Sequence, residues 1–264
     1  MIKSLRLYFQ FIPILCFISF SALAQYSETI QTARPGQAFG PYSVGTKVFQ
    51  VQSGFTYSGF DVTGSALDGN AFQFFNALRY GITEKFEIRT AFALSSVETS
   101  FGEDDDNIGG FSFWNIGVRY NILSNTGFKP TLAIQTDVAL TAVDEDFQTD
   151  DPTSRILLLH GQNISNFFRL TTNWGVVFDG NSSDVIGTYV VNLSFSITDK
   201  LGSFVEIYGD VQDGDFDIRY DTGIAYLLNN DLQLDASFGY GSNDDLNDWF
   251  VDAGVSWRTR FGSN

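Results

Sequence analysis

Cysteine, histidine and methionine are nearly absent from this chain, which has one of each in 264 residues. The single cysteine, Cys16, lies in an apolar stretch near the amino end. A chain with one cysteine forms no internal disulfide, and a structural zinc site needs a cluster of cysteine and histidine ligands. We therefore expect neither a disulfide framework nor a metal ion or other cofactor.

Positive charge is also scarce. The chain has 15 lysine and arginine residues against 31 aspartate and glutamate residues, which gives a net charge of −16 and a pI near 4.2. Proteins that bind nucleic acid present a basic surface to the phosphates. The charge balance therefore excludes nucleic acid as a partner.

Long hydrophobic runs are missing after residue 24. The mean hydropathy is −0.02, and no later stretch reaches the roughly 18 apolar residues of a transmembrane helix. Before that point, Lys3 and Arg6 precede the apolar residues 7–20, and Ala22-Leu23-Ala24 forms a small-x-small site. This order predicts a cleaved signal peptide over residues 1–24. Pro13 and the Ala-x-Ala ending disfavour the alternative, an uncleaved anchor helix.

The rest of the chain consists of β-rich runs separated by Gly, Asn, Asp and Ser, without helical periodicity. Most runs have about ten to thirteen residues, and a tilted strand needs about 9–11 to cross a bilayer. The twelve predicted strands lie at residues 47–58, 71–81, 86–97, 111–122, 130–142, 155–164, 167–178, 185–198, 203–211, 217–227, 231–240 and 249–261.

Apolar and polar residues alternate along these strands. Trp114, Ile116 and Val118 share one face of a strand, and Asn115 and Arg119 share the other. A soluble β-sandwich also alternates. Longer links, such as residues 97–111, alternate with short ones, however, and most acidic residues lie in or at the longer links, as in outer-membrane barrels. We predict one all-β domain over residues 47–261, a transmembrane antiparallel up-and-down β-barrel of twelve strands.

Turning the apolar faces towards lipid places the charged strand residues in the lumen. The predicted lumen-lining residues are Arg79, Glu87, Arg89, Arg119, Asp137, His160, Arg169, Glu206, Arg219, Asp221, Asp235, Asp252 and Arg258. Two interpretations stay open. The charges pair across neighbouring strands as packing, or they line a conduit and set its selectivity.

Two patterns with catalytic or metal-binding precedent are incomplete. His160 is the only imidazole, and Ser154 and Ser165 lie too far along the same segment to contact it, so we expect a hydrogen-bonded lumen histidine and no enzymatic activity. The alternating acids of residues 213–217 resemble the start of a calcium-binding loop. The segment that begins there lacks the glycine at position six and the glutamate at position twelve that an EF-hand loop requires. Weak binding of divalent cations by the acidic loops and simple solvation of these loops both stay open.

Residues 25–46 are polar, contain Pro35 and Pro41, and precede the first predicted strand. Two interpretations are open here as well: a disordered periplasmic tail, or a plug inserted into the barrel. If the segment is a plug, we expect Arg34 to meet a carboxylate in the lumen.

Short motifs along the chain resemble a family of outer-membrane proteins named "Putative MetA-pathway of phenol degradation", whose members are often described as transporters. The motifs are Thr32–Gln37 with Gly40-Pro41 and Gln50–Gly54, Leu78–Thr83 with Phe86–Arg89, and, near the end, Gln233–Gly239, Asp248–Val251 and Gly254–Arg258. The resemblance implies an outer-membrane barrel. A hydrophobic or aromatic substrate is implied only by the name of the family.

The sequence thus predicts an exported channel or transporter for small solutes in the outer membrane of a Gram-negative bacterium. The expected partners are outer-membrane lipid and lipopolysaccharide, a small solute, and the barrel assembly machinery, because Asp252, Gly254, Trp257 and Phe261 form an amphipathic terminal strand. The alternative is a structural or surface-interaction barrel that displays acidic loops without transporting a solute.

Overall fold

The fold is known from a computed structural model that describes residues 27–125, 127–181, 184–243 and 246–262. The predicted signal peptide, residues 1–24, lies outside the described residues. In the part of the chain that is described, the only helical element is a 3₁₀ turn, Glu145–Phe147. No helix in the described residues is long and apolar enough to cross a membrane.

Twelve long strands form a closed antiparallel barrel, as the sequence predicts. Each long strand pairs with its neighbours along the chain, and β8 (Val185–Ser196) pairs with β9 (Leu201–Gln212). The first strand, β1 (Val48–Val62), closes the ring on the last, β13 (Leu246–Arg260), over fifteen residue pairs, from Val48 with Arg260 to Val62 with Leu246. A two-residue strand, β10 (Asp215–Phe216), adds to the tip of β9. The strands are β1 (Val48–Val62), β2 (Leu67–Gly81), β3 (Phe86–Phe101), β4 (Asp104–Leu123), β5 (Thr131–Ala139), β6 (Thr153–Asn163), β7 (Phe168–Phe178), β8 (Val185–Ser196), β9 (Leu201–Gln212), β10 (Asp215–Phe216), β11 (Arg219–Asn229), β12 (Leu232–Ser242) and β13 (Leu246–Arg260).

The two ends of the barrel differ. We call the end with the turns 82–85, 164–167, 197–200 and 230–231 the terminal end, because Phe261 donates a backbone hydrogen bond to Lys47 there. The opposite end, the loop end, carries the longest connection, residues 140–152. Closure gives every long strand a hydrogen-bonded partner on both sides in the barrel wall, which a barrel inside a bilayer requires because lipid offers no hydrogen bonds.

The prediction of a long loop over residues 97–111 is wrong. β3 and β4 continue as a paired ladder to Phe101 and Asp104, and a tight turn at Gly102 joins them, where the positive φ of 69° suits glycine. A run of polar side chains does not end a strand that projects into water, because the hydrogen bonds between paired strands are made by the backbone. The acidic run that begins at Asp104 therefore lies on a strand that projects from the loop end.

Burial runs opposite to that of a soluble protein. Ile116 has 49% of its surface exposed, whereas Arg119, on the other face of β4, has 1% exposed. Apolar side chains cover the outside of the barrel, and charged and amide side chains fill the inside. This is the arrangement expected when the surrounding medium is lipid.

Candidate functional site

The candidate site is the barrel lumen. Successive side chains of a strand point to opposite faces, and this alternation places every predicted lumen-lining residue on the inner face except His160. Most of these charged side chains are more than nine-tenths buried, among them Glu87, Glu206 and Arg258. The lumen is therefore a packed polar interior, and its contacts decide what it can do.

His160 is a correction to the prediction. On β6 it shares a face with Ile156 and Leu158, which are 41% and 47% exposed, while Leu157 and Leu159 are buried on the inner face. His160 therefore faces outward, 3.4 Å from the hydroxyl of Thr172. Both faces of β6 carry apolar residues, because its inner face also packs against an apolar side chain in the lumen.

Arginines dominate the inner face of β2 to β7, which we call the basic wall. Arg79 donates to both carboxylate oxygens of Glu87, at 3.0 and 2.9 Å, and Arg119 lies 3.7 Å from the same carboxylate. Arg119 also donates to Gln135 at 2.6 Å. One carboxylate is thus shared between two buried guanidinium groups, which leaves local positive charge uncompensated.

A second group on the basic wall follows one row across four strands. The row runs from Arg89 through Gly117 and Asp137 to Arg155, each residue facing the next across a strand pair. Asp137 lies 3.1 Å from both Arg89 and Arg155. A side chain at Gly117 would overlap the carboxylate of Asp137, so the glycine makes room for the pair. Sequence reasoning missed Arg155, because it shares its face of β6 with Leu157 and Leu159, and apolar residues were assigned to the lipid side.

Carboxylates dominate the inner face of β9 to β13, which we call the acidic wall. Glu206 and Asp221 face each other across β9 and β11. Both oxygens of Asp221 are buried, and among the described residues none donates a hydrogen bond to them. Asp235 and Asp252 lie on the next two strands. Negative charge on this wall therefore faces positive charge on the other.

The remaining predicted arginines lie towards the ends of the lumen. Near the loop end, Arg219 pairs with Asp217 and donates to Asp248 at 2.7 Å. Near the terminal end, Arg258 donates to Asp231 at 2.7 Å. Arg169, on β7, donates to Asn163 at 2.9 Å. The contact of Arg219 with Asp248 spans β12, and none of these contacts brings the three arginines together.

Residues 27–46, which we call the inner segment, run through the lumen between the two walls. The guanidinium of Arg34 lies 3.0 Å from Asp235 and also forms an ion pair with Asp252. It sits over Gly54 and Gly254, where any Cβ would overlap it. The structure thus brings Arg34 to a carboxylate pair on the acidic wall.

The backbone of the inner segment is held by side chains from both walls. On the acidic wall, Glu206 accepts hydrogen bonds from the backbone N–H groups of Gln37 and Ala38, at 2.6 and 3.0 Å. On the basic wall, Arg79 and Arg119 both donate to the carbonyl of Tyr42 at 3.0 Å. The segment therefore turns N–H groups to the carboxylates and a carbonyl to the arginines.

Two cavities lie on either side of the inner segment. The loop-end cavity has a volume of about 810 Å³ and is lined by residues that include Gln37, Phe39 and Tyr208. The terminal-end cavity, of about 570 Å³, is lined by residues that include Thr32 and Arg169. Polar and charged residues contribute to the lining of both cavities. Within the described ranges, no group of three or more His, Cys, Asp or Glu residues is arranged to hold a metal ion.

Comparison with known proteins identifies the family of this chain. A family described as "Putative MetA-pathway of phenol degradation" matches residues 32–259. The chain belongs to this family. The match confirms the family resemblance that the motifs predict, and it takes in most of the inner segment and nearly the whole barrel. No curated protein matches the chain.

Solved structures share the fold at low sequence identity. An outer membrane channel from Pseudomonas putida F1 superposes with a TM-score of 0.68 at 9% identity, over 85% of this chain and 99% of that one. The translocator domain of the autotransporter NalP from Neisseria meningitidis gives 0.54 at 11% identity, over 81% and 89%. The β-domain of the Bordetella autotransporter BrkA gives 0.53 at 12%, over 80% and 99%. These similarities confirm the barrel fold.

Proposed function

We propose that this protein is a channel for small solutes in the bacterial outer membrane and that the inner segment closes its lumen. The observation that carries the proposal is the pair of cavities, about 810 and 570 Å³, on opposite sides of the inner segment. A barrel whose lumen served only as packing would have no need of such space at both ends.

The charges in the lumen support a conduit. Basic residues concentrate on β2 to β7 and acidic residues on β9 to β13, and Asp221 has no hydrogen-bond donor among the described residues. Charged groups that face each other across a lumen set the selectivity of a pore. The similarity to an outer membrane channel from Pseudomonas putida F1 is consistent with this role.

The same proposal covers export and partners. A signal peptide over residues 1–24 would direct the chain across the inner membrane and be removed, so that the protein begins near Gln25. The terminal end would then face the periplasm and the loop end the exterior. Outer-membrane lipid and lipopolysaccharide would surround the apolar outer face, and β13 would carry the signal for the barrel assembly machinery.

The competing function is a non-transporting barrel that presents its acidic loops to a surface partner. The contacts that favour it are those that seat the inner segment, above all the ion pairs of Arg34 with Asp235 and Asp252. A segment held this firmly would keep the lumen shut at all times.

Single-channel conductance in planar bilayers separates the two functions. The proteins to compare are the mature chain, Arg34→Gln, and a form that lacks residues 25–46. Arg34→Gln loosens the segment by removing its ion pairs, so we expect discrete steps that are larger or more frequent than in the mature chain, and the deletion should give the largest steps. Lys129→Gln, which makes the same charge change at an exposed turn residue, is the matched control and should behave as the unaltered chain.

Heat-modifiable gel mobility confirms that each variant has folded as a barrel. If all correctly folded forms leave the bilayer silent, the channel proposal is wrong and the surface-interaction function takes its place.

A further inference from the structure

The side chain of Phe39 occupies a distinct slot in the wall of the lumen. Its ring packs against a cluster of buried apolar residues, Ala133, Leu157 and Leu159, on the inner faces of β5 and β6. An apolar patch is unusual on the inner face of this barrel, where amide and charged side chains prevail. The patch explains why β6 turns leucines inward.

Two guanidinium groups lie over the same ring. The Cζ atom of Arg89 is 5.0 Å from the ring centroid and that of Arg155 is 5.1 Å from it. Arginine interacts favourably with the face of an aromatic ring at such distances. The slot therefore combines an apolar floor with two cations, and it is matched to an aromatic ring more closely than to an aliphatic side chain.

The charge of the slot is not balanced. Among the described residues, Asp137 is the one carboxylate that contacts both arginines, so the slot carries a net positive charge. Arg89 is 8% exposed, and its Nη1 atom has no hydrogen-bond acceptor among the described residues. Buried donors are normally satisfied, so an unsatisfied one at a candidate site calls for an explanation. An anionic oxygen would satisfy it.

The backbone at Phe39 is held separately from the ring. Asn173 accepts a hydrogen bond from the N–H of Phe39 at 2.7 Å and donates one to its carbonyl at 2.8 Å. Phe39 also lines the loop-end cavity, together with Arg155. A solute that enters this cavity therefore reaches the slot directly, and the ring can leave the slot by rotation of the side chain while the backbone stays bound.

We propose that the slot is a binding site for the ring of an aromatic carboxylate, which takes the place of the Phe39 ring. The ring of the solute lies on Leu157 and Leu159 beneath the two guanidiniums, and its carboxylate accepts a hydrogen bond from Arg89. Phe39 acts as an internal substitute for this solute. The inference rests on the proposed channel function, for which it names a substrate class.

Calorimetric titration of the folded mature chain in detergent tests the site, with benzoate as the probe. Phe39→Ala empties the slot and should bind benzoate about tenfold more tightly than the unaltered chain, because no ring has to be displaced. Cyclohexanecarboxylate has the same charge without an aromatic face, and benzyl alcohol has the ring without the charge. Both should bind Phe39→Ala at least several-fold more weakly than benzoate does.

Two further variants make the test specific. Tyr42→Ala removes the other ring that the inner segment places near a guanidinium, that of Arg169 at 5.3 Å, and should gain no affinity for benzoate. Arg155→Gln, combined with Phe39→Ala, should lose most of the gain, and because the Arg155 side chain is 33% exposed this substitution leaves the barrel folded. Equal binding of benzoate and cyclohexanecarboxylate by Phe39→Ala, or no gain over the unaltered chain, would overturn the proposal.

Benzoate binding tests the slot and conductance tests the channel, so either proposal can be refuted without the other. Benzoate binding by Phe39→Ala in a protein that never conducts would support the slot and refute the channel. Conductance in a protein whose Phe39→Ala form does not bind benzoate would support the channel and refute the slot.

Discussion

Gly54 and Gly254 face each other across the ladder between β1 and β13, and together they leave the space that the Arg34 guanidinium fills. The two glycines lie on the inner face, where a Cβ on either would overlap the guanidinium. The arginine then reaches Asp235 and Asp252. A gap at the seam that closes the barrel is thus what allows the inner segment to dock.

This relationship predicts the effect of a single added methyl group. Gly54→Ala should displace Arg34, a flexible side chain, without disturbing the barrel backbone. We expect hydrogen exchange of the amides in residues 27–46 to become about tenfold faster, because the docked state loses roughly 1.4 kcal/mol. Mass spectrometry of the corresponding peptides measures this change.

Gly109→Ala is the matched control, because a Cβ at that position meets its nearest atom at an ordinary 3.5 Å. It should leave the exchange of the inner segment unchanged. Equal exchange rates in the two variants would contradict the role assigned to the glycine pair.

Glu87 is predicted to be the main electrostatic support of the basic wall. It is fully buried between Arg79 and Arg119 and also accepts a hydrogen bond from the N–H of Val44 at 3.0 Å. Glu87→Gln leaves two buried guanidiniums without a counter-charge, so we expect the free energy of unfolding to fall by about 3–5 kcal/mol. Urea unfolding in lipid vesicles, followed by tryptophan fluorescence, gives this value.

The comparison for that measurement is Glu103→Gln, the same chemical change at the exposed turn between β3 and β4. It should alter the free energy of unfolding by no more than about 0.5 kcal/mol. A similar effect for both substitutions would mean that Glu87 is not a buried counter-ion.

Two adjacent carboxylates should respond in opposite directions. Glu206 accepts hydrogen bonds from Gln37, Ala38 and Asn192, whereas Asp221 beside it has no donor among the described residues. Asp221→Asn replaces one of two adjoining buried carboxyl groups by an amide that can donate to Glu206, so it should stabilise the barrel by about 1–3 kcal/mol. Glu206→Gln should weaken the docking of the inner segment and speed its hydrogen exchange.

Both variants are isosteric, which makes each the control for the other. If Asp221→Asn lowers the free energy of unfolding at neutral pH, Asp221 makes a favourable contact in the lumen, and the prediction is wrong.

His160 should be dispensable for conduction. Because its ring faces outward, His160→Leu places an apolar side chain where the surrounding medium is lipid. We expect the conductance and the ion selectivity of the proposed channel to stay the same, and the free energy of unfolding to stay the same or to rise. Arg155→Gln, on the inner face of the same strand, should shift the reversal potential towards cation selectivity, and the two measurements together test which face lines the lumen.

Strand parity is the feature that the sequence alone determined. Alternation over segments such as 111–122 follows from the geometry of a β-strand, in which successive side chains point to opposite faces, so the barrel, its twelve strands and most inward charges could be predicted. The same rule failed on β6, where it predicts an inward His160, but Leu157 and Leu159 face inward and His160 faces outward. Both faces of that strand carry apolar residues, so the alternation of apolar and polar residues does not distinguish its inner face from its outer face.

The tertiary structure alone decided which charges meet. Arg34 reaches Asp235 and Asp252, about two hundred positions away in the sequence, because β1 and β13 close the ring and bring two glycines together. The slot around Phe39 likewise combines residues from three strands and the inner segment. Local sequence fixes the face on which a side chain lies, but contacts across a closed barrel depend on register and on a segment that has no periodicity of its own.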